Sequence, residues 1–171
     1  MLIELPIAGI VLLNVAAWLV IQLGLAWSLT RISARRFNPR GRLARLWRWE
    51  LSGRCYEKRL GIKRWKDWLP DGASWFGGGF AKAGLRERTQ EFLESFLRET
   101  WRGEIVHWLA LLGVPLFMLW NPLWAVGVNA LYALAANLPC ILVQRYNRGR
   151  FLRILEQAAI KPGAISRTPA C

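Results

Sequence analysis

The sequence contains few of the residues from which proteins build metal sites and disulfide frameworks. It has one histidine, and its three cysteines, Cys55, Cys140 and Cys171, are far apart along the chain. No CxxC pair occurs, and a structural zinc site needs about four His, Cys or carboxylate ligands. We therefore expect no disulfide framework, no metal ion and no cofactor.

Charge is absent from two long stretches. Residues 5 to 29 carry no charged side chain, and residues 105 to 143 contain no Asp, Glu, Lys or Arg. A helix of about 20 apolar residues crosses the hydrocarbon core of a bilayer. The first stretch predicts one transmembrane helix. The second is interrupted at Trp120-Asn121-Pro122 and predicts two, at about 103–120 and 123–143, with Trp120 and Trp124 at the membrane interface.

A cleaved signal peptide is the alternative interpretation of residues 5 to 29. This stretch has no positively charged region before it, since its nearest upstream charge is Glu4, and it is too long for the apolar part of a signal peptide. We therefore expect the segment to be retained as the first span.

Acidic residues are scarce: 11 Asp and Glu stand against 24 Lys and Arg, giving a net charge of +13. The basic residues directly after span 1 are Arg31, Arg35, Arg36, Arg40, Arg42, Arg45 and Arg48, and those after span 3 are Arg145, Arg148, Arg150 and Arg153. Basic residues next to spans favour the cytoplasmic side, which predicts a multi-pass protein of the cell membrane with its N-terminus outside and its C-terminus inside. Anionic headgroups explain this charge more simply than nucleic acid does, so we expect the lipid bilayer and not nucleic acid as a partner.

Residues 31 to 100, between the first two spans, predict a cytoplasmic segment that lies in the membrane interface. Residues 43 to 60 place Leu43, Leu46, Trp47, Leu51 and Tyr56 among arginines, a pattern typical of an interfacial amphipathic helix. Residues 63 to 82 are loop-like, with Trp65, Trp68, Trp75 and Phe76 as membrane anchors. Gly77 to Gly79 with Lys82 are either a lid for a phosphate-bearing donor or a simple connection. A second amphipathic helix at about 84–100 leads into span 2.

These segments predict an all-α integral membrane protein. It forms a single membrane domain over residues 1–171, with three transmembrane helices and a cytoplasmic tail at 144–171.

The stretch ETWRGEIVHW, residues 99 to 108, crowds ionisable groups at the start of span 2. On a helix, Thr100, Glu104 and His107 share one stripe, so Glu104 can reach His107, while Glu99 and Arg102 form a neighbouring pair. A carboxylate beside an imidazole fixes its tautomer and raises its basicity, as a general base requires. Ionisable groups at the edge of hydrocarbon indicate a functional site, although a simple end of the span remains the alternative.

The stretch NLPCILVQRYNRGR, residues 137 to 150, supplies a facing set at the end of span 3. Asn137, Gln144 and Arg148 share a helical stripe, although Pro139 removes one backbone donor and is expected to kink the helix. Asparagine and arginine donors at this position suit a developing oxyanion or a phosphate. In span 1, Asn14 and Gln22 are interpreted either as helix-packing residues or as part of the pocket.

These stretches resemble the glycosyl-4,4'-diaponeurosporenoate acyltransferases of bacterial carotenoid biosynthesis. The similarity runs from WLVIQLGLAWSLTRI (18 to 32) through IKRWKDWLPDG (62 to 72) to ETWRGEIVHW and NLPCILVQRYNR (137 to 148), of which the last two are the most specific. The matching motif positions are Glu99, Thr100, Arg102, Glu104, His107, Asn137, Gln144, Arg145, Asn147 and Arg148.

The resemblance implies transfer of a fatty acyl group from an acyl thioester, such as acyl-CoA, to a sugar hydroxyl of a glycosylated carotenoid acid or a related glycolipid. We interpret His107 and Glu104 as the general base pair, with Asn137, Asn147 or Arg145 stabilising the oxyanion. Arg102 and Arg148 are expected to hold the phosphates of the donor. The HxxxxD signature of glycerolipid acyltransferases is absent, because Trp108 to Leu112 follow His107. Two alternatives stay open: another small membrane transferase or reductase, and a non-catalytic scaffold of a pigment pathway.

Overall fold

The computed structural model describes residues 5–69 and 90–160, which contain helices and turns but no strand. Five α-helices follow each other within these two ranges: α1 (Ile7–Thr30), α2 (Arg54–Leu60), α3 (Ile62–Trp65), α4 (Gln90–Leu112) and α5 (Leu123–Ile160). Short 3₁₀ turns lie at Ala34–Arg36, Arg48–Gly53, Lys66–Trp68 and Val114–Leu119.

Three stretches are long and apolar enough to cross a membrane: Ile7–Thr30, Gln90–Leu119 and Leu123–Ala159. This confirms the predicted all-α fold with three spans. The helices extend beyond the apolar stretches, because α4 begins at Gln90 and α5 runs through Pro139 to Ile160. The predicted amphipathic helix and span 2 therefore form one helix from residue 90, and residues 84–89 lie outside the described part of the chain.

A hydrophobic cluster explains these extensions. Leu93, Phe96 and Leu97 of α4 are buried against Phe151 of α5, and the rings of Phe96 and Phe151 lie 4.6 Å apart. The start of α4 and the last part of α5 therefore pack on each other through apolar side chains, outside the long apolar stretches. The first part of the predicted tail is consequently helical and packed against α4.

The predicted single helix over residues 43–60 is wrong. A 3₁₀ turn at Arg48–Gly53 precedes α2, and Gly53 joins them with a φ of +88°, a left-handed conformation that glycine adopts readily. A Cβ on Gly53 would lie 3.0 Å from the carbonyl oxygen of Tyr146, so the turn packs directly on the backbone of α5. Tyr56 is 1% exposed and packs in a core with Tyr146, whereas Leu43 is 85% exposed, as an interfacial residue should be.

The expected tryptophan anchors differ in their surroundings. Trp120 stacks near Phe117 and donates from Nε1 to Asn14 Oδ1 at 2.8 Å, so it belongs partly to the helix packing. Trp124 is 74% exposed and Trp68 is 85% exposed, in agreement with an anchoring role. Trp75, Phe76, Gly77 to Gly79 and Lys82 lie outside the described residues.

A row of three asparagines at eight-residue spacing, here called the asparagine ladder (Asn121, Asn129 and Asn137), joins α1 to the α5 region. Each ladder amide donates from Nδ2 to the carbonyl four residues earlier, at Phe117, Ala125 and Ala133 respectively. Each ladder oxygen accepts a hydrogen bond from α1, in order from Asn14, Trp18 and Gln22 at 3.0, 2.8 and 3.1 Å. Gln22 therefore bonds to α5 and Asn14 bonds to the turn before α5, which fits the helix-packing interpretation of both residues.

Candidate active site

Two buried carboxylates and two arginines form an ion network where α4, α5 and the 3₁₀ turn before α2 meet. Arg145 holds both carboxylates: its Nε and Nη2 donate to Glu50 at 2.7 and 2.9 Å, and its Nη1 donates to Glu104 at 2.7 Å. Arg148 Nη2 donates to the other oxygen of Glu104 at 2.5 Å. Glu50 and Glu104 are both fully buried, so each needs these cations to offset its loss of hydration.

Glu50 is the residue of this ion network that the two sequence motifs do not include. Its carboxylate also accepts hydrogen bonds from the Tyr56 hydroxyl and the backbone N–H of Trp47. Burial raises the pKa of Glu50, but the bonds from Arg145, Tyr56 and Trp47 outweigh burial and hold that pKa below its ordinary value. One feature of the sequence does single out Glu50. It is the only acidic residue in the arginine-rich stretch from residue 31 to residue 56.

Arg148 is fully buried and only partly satisfied. Among the described residues, its Nε and Nη1 have no hydrogen-bond partner, and its guanidinium carbon lies 5.5 Å from the centre of the Trp101 ring. Glu104 and Trp101 therefore supply its stabilising contacts.

His107 is oriented by an amide of the ladder. Its Nδ1 lies 2.9 Å from Oδ1 of Asn137, which also accepts from Gln22 Nε2 at 3.1 Å. The Asn137 Nδ2 group donates to Ala133 O at 2.9 Å, so the amide presents its oxygen to the ring. Nδ1 must then carry the proton, and in the neutral ring Nε2 holds the free lone pair that a general base uses.

The predicted pairing of Glu104 with His107 is wrong. Helical spacing does place both on one side of α4, but Glu104 accepts from Arg145, Arg148 and the indole Nε1 of Trp108. Charge-assisted bonds to two guanidinium groups are stronger than a bond to a neutral imidazole, so the arginines of α5 take the carboxylate.

The remaining motif residues of α4 serve mainly to fix the helix. Glu99 and Arg102 form the predicted pair at 2.5 Å, and Arg102 also donates to the carbonyl of Ile32 at 3.5 Å. Thr100 is 1% exposed and donates to Leu97 O at 2.7 Å. These contacts satisfy Thr100 within its own helix and tie α4 to the segment after α1.

Gln144 and Asn147 keep free amides. Neither has a hydrogen-bond partner among the residues that the structure describes. Gln144 lies against Gly103, where an added Cβ would come 3.0 Å from its Nε2 and would displace this side-chain amide. Asn147 lines a cavity of about 190 Å³ whose walls are Lys66, Asp67, Phe96, Val143, Asn147, Arg150 and Phe151. The structure thus separates these two motif positions from the ion network.

Within residues 5–69 and 90–160, no group of three or more His, Cys, Asp or Glu side chains could hold a metal ion. The site offers an oriented imidazole, the free amide of Gln144 beside Gly103, and a buried ion network that joins α4 and α5. Such a set suits removal of a proton from a hydroxyl group.

Comparison with known proteins identifies the chain's relatives. The model of the glycosyl-4,4'-diaponeurosporenoate acyltransferase family matches residues 34–157. A protein of that name from Staphylococcus haemolyticus (strain JCSC1435) is 31% identical over 139 residues, covering 81% of this chain and 81% of that protein. Its namesakes from Staphylococcus aureus strains bovine RF122 / ET3-1 and USA300 are 31% identical over 138 residues, covering 81% of this chain and 83% of each relative. No solved structure gives a significant match. The match over residues 34–157 and the identity across four fifths of the chain show that it belongs to the glycosyl-4,4'-diaponeurosporenoate acyltransferase family.

Proposed function

We propose that the protein transfers a fatty acyl group from an acyl thioester to a sugar hydroxyl of a glycosylated carotenoid acid or a related glycolipid. The names of the relatives support the reaction class and the glycosylated carotenoid acceptor. The observation that carries the proposal is the contact between His107 Nδ1 and Asn137 Oδ1, which leaves Nε2 as the basic nitrogen.

In the proposed reaction, His107 Nε2 removes the proton of the acceptor hydroxyl as its oxygen attacks the thioester carbonyl carbon. A tetrahedral intermediate forms with the negative charge on the former carbonyl oxygen. Its collapse restores the carbonyl, breaks the carbon–sulfur bond and releases a thiolate. The imidazolium returns its proton to that thiolate, so the products are an ester, a thiol and neutral His107.

The oxyanion needs a donor that is not already engaged. Asn137 Nδ2 is bonded to Ala133 O, and Arg145 is shared between two carboxylates, which argues against both residues in this role. Gln144 has a free amide against Gly103, one helical turn before His107 on α4. We therefore assign oxyanion stabilisation to Gln144, an interaction worth about 3 kcal/mol for one well-placed donor.

The donor's phosphate end requires accessible cations. Arg102 is 6% exposed and Arg148 is fully buried, which argues against direct phosphate contacts by these two residues. The cavity beside Asn147 is lined by apolar side chains, by the exposed Arg150 and by Lys66, which also pairs with Asp67 at 2.6 Å. We assign the phosphate-bearing end of an acyl-CoA or a carrier-protein thioester to this cavity, while Glu104, Arg145 and Arg148 fix α4 against α5.

The orientation of the protein follows from charge. Basic residues after α1 and in the second half of α5 favour the cytoplasmic side, which supports a site at the cytoplasmic leaflet and an N-terminus outside. A cytoplasmic donor and a lipid acceptor could meet there, because both substrates reach that interface.

The experiment that tests the proposal compares wild-type protein with His107→Ala. Purified protein receives isotope-labelled acyl-CoA and a glycosylated apocarotenoid, and mass spectrometry measures the labelled ester. Loss of a general base should lower kcat at least about a hundredfold. Leu109→Ala, on the exposed side of the same helix, is the control and should keep wild-type kcat. Wild-type turnover by His107→Ala would refute the assignment of the base.

A further inference from the structure

We propose that Gln22 of α1 is a positioning residue for His107 that acts through the side-chain amide of Asn137. Gln22 Nε2 donates to Asn137 Oδ1 at 3.1 Å, and the same oxygen lies 2.9 Å from His107 Nδ1. The inference rests on the proposed function only where it assigns a catalytic use to His107. The tautomer itself can be measured without any reaction.

Two contacts that do not involve His107 determine which end of the Asn137 amide faces the ring. Ala133 offers a carbonyl that only Nδ2 can satisfy, and Gln22 donates an N–H that only Oδ1 can accept. Rotating the amide by half a turn would set an oxygen against the Ala133 carbonyl and an NH₂ against the NH₂ of Gln22. Asn137 is fully buried, so water cannot compensate for these mismatches.

The tautomer of His107 depends on that choice. While Oδ1 faces the ring, Nδ1 carries the proton and Nε2 is the base. If the amide rotates, its Nδ2 can donate to an unprotonated Nδ1, and the proton moves to Nε2, where it blocks the basic nitrogen. In the part of the chain that the structure describes, Gln22 is the residue of α1 that penalises the rotated state directly.

This contact makes α1 part of the site. The family match covers residues 34–157 and so begins after α1 ends at Thr30. The two other rungs of the asparagine ladder bond to Asn14 and Trp18, and among the described residues neither asparagine has a hydrogen bond to a titratable side chain. The hydrogen bond from Gln22 therefore differs from the other two, because the oxygen that accepts it also contacts a histidine.

The test uses the single histidine of the chain. Labelling the full-length protein with ¹⁵N-histidine gives signals from His107 alone, and the ¹⁵N shifts of its two ring nitrogens distinguish the tautomers at a pH where the ring is neutral. We expect the wild-type protein to have mainly the Nδ1–H form. Gln22→Met, which keeps the length of the side chain but removes the donor, should give a mixture of both forms.

Trp18→Phe is the matched control. It removes the Nε1 donor to Asn129 on the neighbouring rung and keeps an aromatic ring beside Phe117. This variant should retain the wild-type tautomer, which separates the effect on His107 from general loosening of α1. Gln22→Asn, too short to reach Asn137 but still an amide, serves if Gln22→Met does not fold.

Kinetics supply the second readout. Gln22→Met should lower kcat about fivefold, the effect of one neutral hydrogen bond, and leave KM for both substrates unchanged. An unchanged tautomer in Gln22→Met and Gln22→Asn overturns the inference, even if kcat falls. A mixed tautomer supports it even if the wild-type protein shows no acyl transfer, and in that case the proposed function fails by itself.

Discussion

At the residue scale, the contact between His107 and Asn137 shows that an uncharged amide can orient a histidine within an apolar segment. A carboxylate at this depth would need its own cation, because an unpaired charge away from water is costly. An amide fixes the tautomer without adding charge, and its Nδ2 is satisfied by the carbonyl of Ala133 in the same helix. The carboxylate of Glu104 is instead neutralised by Arg145 and Arg148, nearer the charged ends of the helices.

The ladder offers a matched pair of substitutions. Asn137→Ala and Asn129→Ala each remove an amide that bonds to a carbonyl four residues earlier and to a donor on α1. We expect similar losses of thermal stability, but only Asn137→Ala should lower kcat, by about tenfold or more, because it frees the imidazole. Thermal unfolding and steady-state acyl transfer measure the two effects. Equal loss of kcat in both variants would contradict a special role for Asn137.

The sequence predicted which residues lie at this site better than it predicted which of them contact each other. Residues such as His107, Asn137 and Gln144 stood out because polar side chains are rare near apolar spans. The hydrogen-bond partners at the site could not be predicted in this way. Helical spacing relates residues of one helix, whereas the arginines that bond to Glu104 of α4 lie on α5. Glu50 was missed because its partner Arg145 lies far away in sequence.

At the element scale, the 3₁₀ turn before α2 is fixed to α5 by backbone contact and by charge. Gly53 provides the backbone contact, and Glu50 bonds to Arg145. The amphipathic pattern of residues 43–60 did not predict this arrangement. A tyrosine at position 56 fits that pattern whether it faces lipid or the protein core.

Gly53→Ala tests the backbone contact. A left-handed φ costs a non-glycine residue about 1–3 kcal/mol, and the new Cβ would also press on the carbonyl oxygen of Tyr146 at 3.0 Å. Gly61→Ala is the control, since Gly61 also has a positive φ, of +54°, but meets only the side chain of Arg64 at 3.9 Å. Calorimetry should show the larger loss of Tm for Gly53→Ala. Equal losses would mean that the contact with α5 contributes nothing.

Glu50→Gln tests the charge contact and its pH dependence. Removing one partner of a buried ion pair costs about 3–5 kcal/mol. Since the pKa of Glu50 is held below its ordinary value of 4.5, the carboxylate stabilises the fold at pH above 4.5. This contribution is lost as the pH falls through the lower folded-state pKa.

We therefore expect the difference in Tm between wild type and Glu50→Gln to be constant near neutral pH and to shrink below pH 4.5. Unfolding followed by tryptophan fluorescence across this pH range measures the difference. Glu156→Gln, at an exposed position of α5, should change Tm little at any pH. A pH-independent difference for Glu50→Gln would exclude the ionised carboxylate as the cause.

At the scale of the whole molecule, apolar side chains face outward along the helices and charge gathers at one end. Leu12, Val20, Val128 and Leu131 are all more than half exposed, which suits contact with lipid. Arginines cluster after α1 and along the end of α5. We therefore expect one end of the bundle to face the cytoplasm and the turn at Asn121 to face outward.

Two exposed leucines at opposite ends test this orientation. In a variant whose three cysteines are replaced by alanine, a membrane-impermeant maleimide should label Leu123→Cys in intact cells but label Leu43→Cys only after lysis. Both side chains are at least three-quarters exposed, at 76% and 85%, so access to the reagent differs only through the membrane. Labelling of Leu43→Cys in intact cells would reverse the proposed topology.

The sequence by itself determined the three apolar spans, the turn between the second and third, and the two polar stretches that contain the site. These features depend on hydrophobicity and on helical period, which are local properties of the chain. Only the tertiary structure decided that Asn137 orients His107, that Arg145 joins Glu50 to Glu104, and that α1 reaches the site through Gln22. These contacts join residues far apart in sequence, where charge pairing and hydrogen-bond satisfaction between helices select one partner among several that the helical period allows.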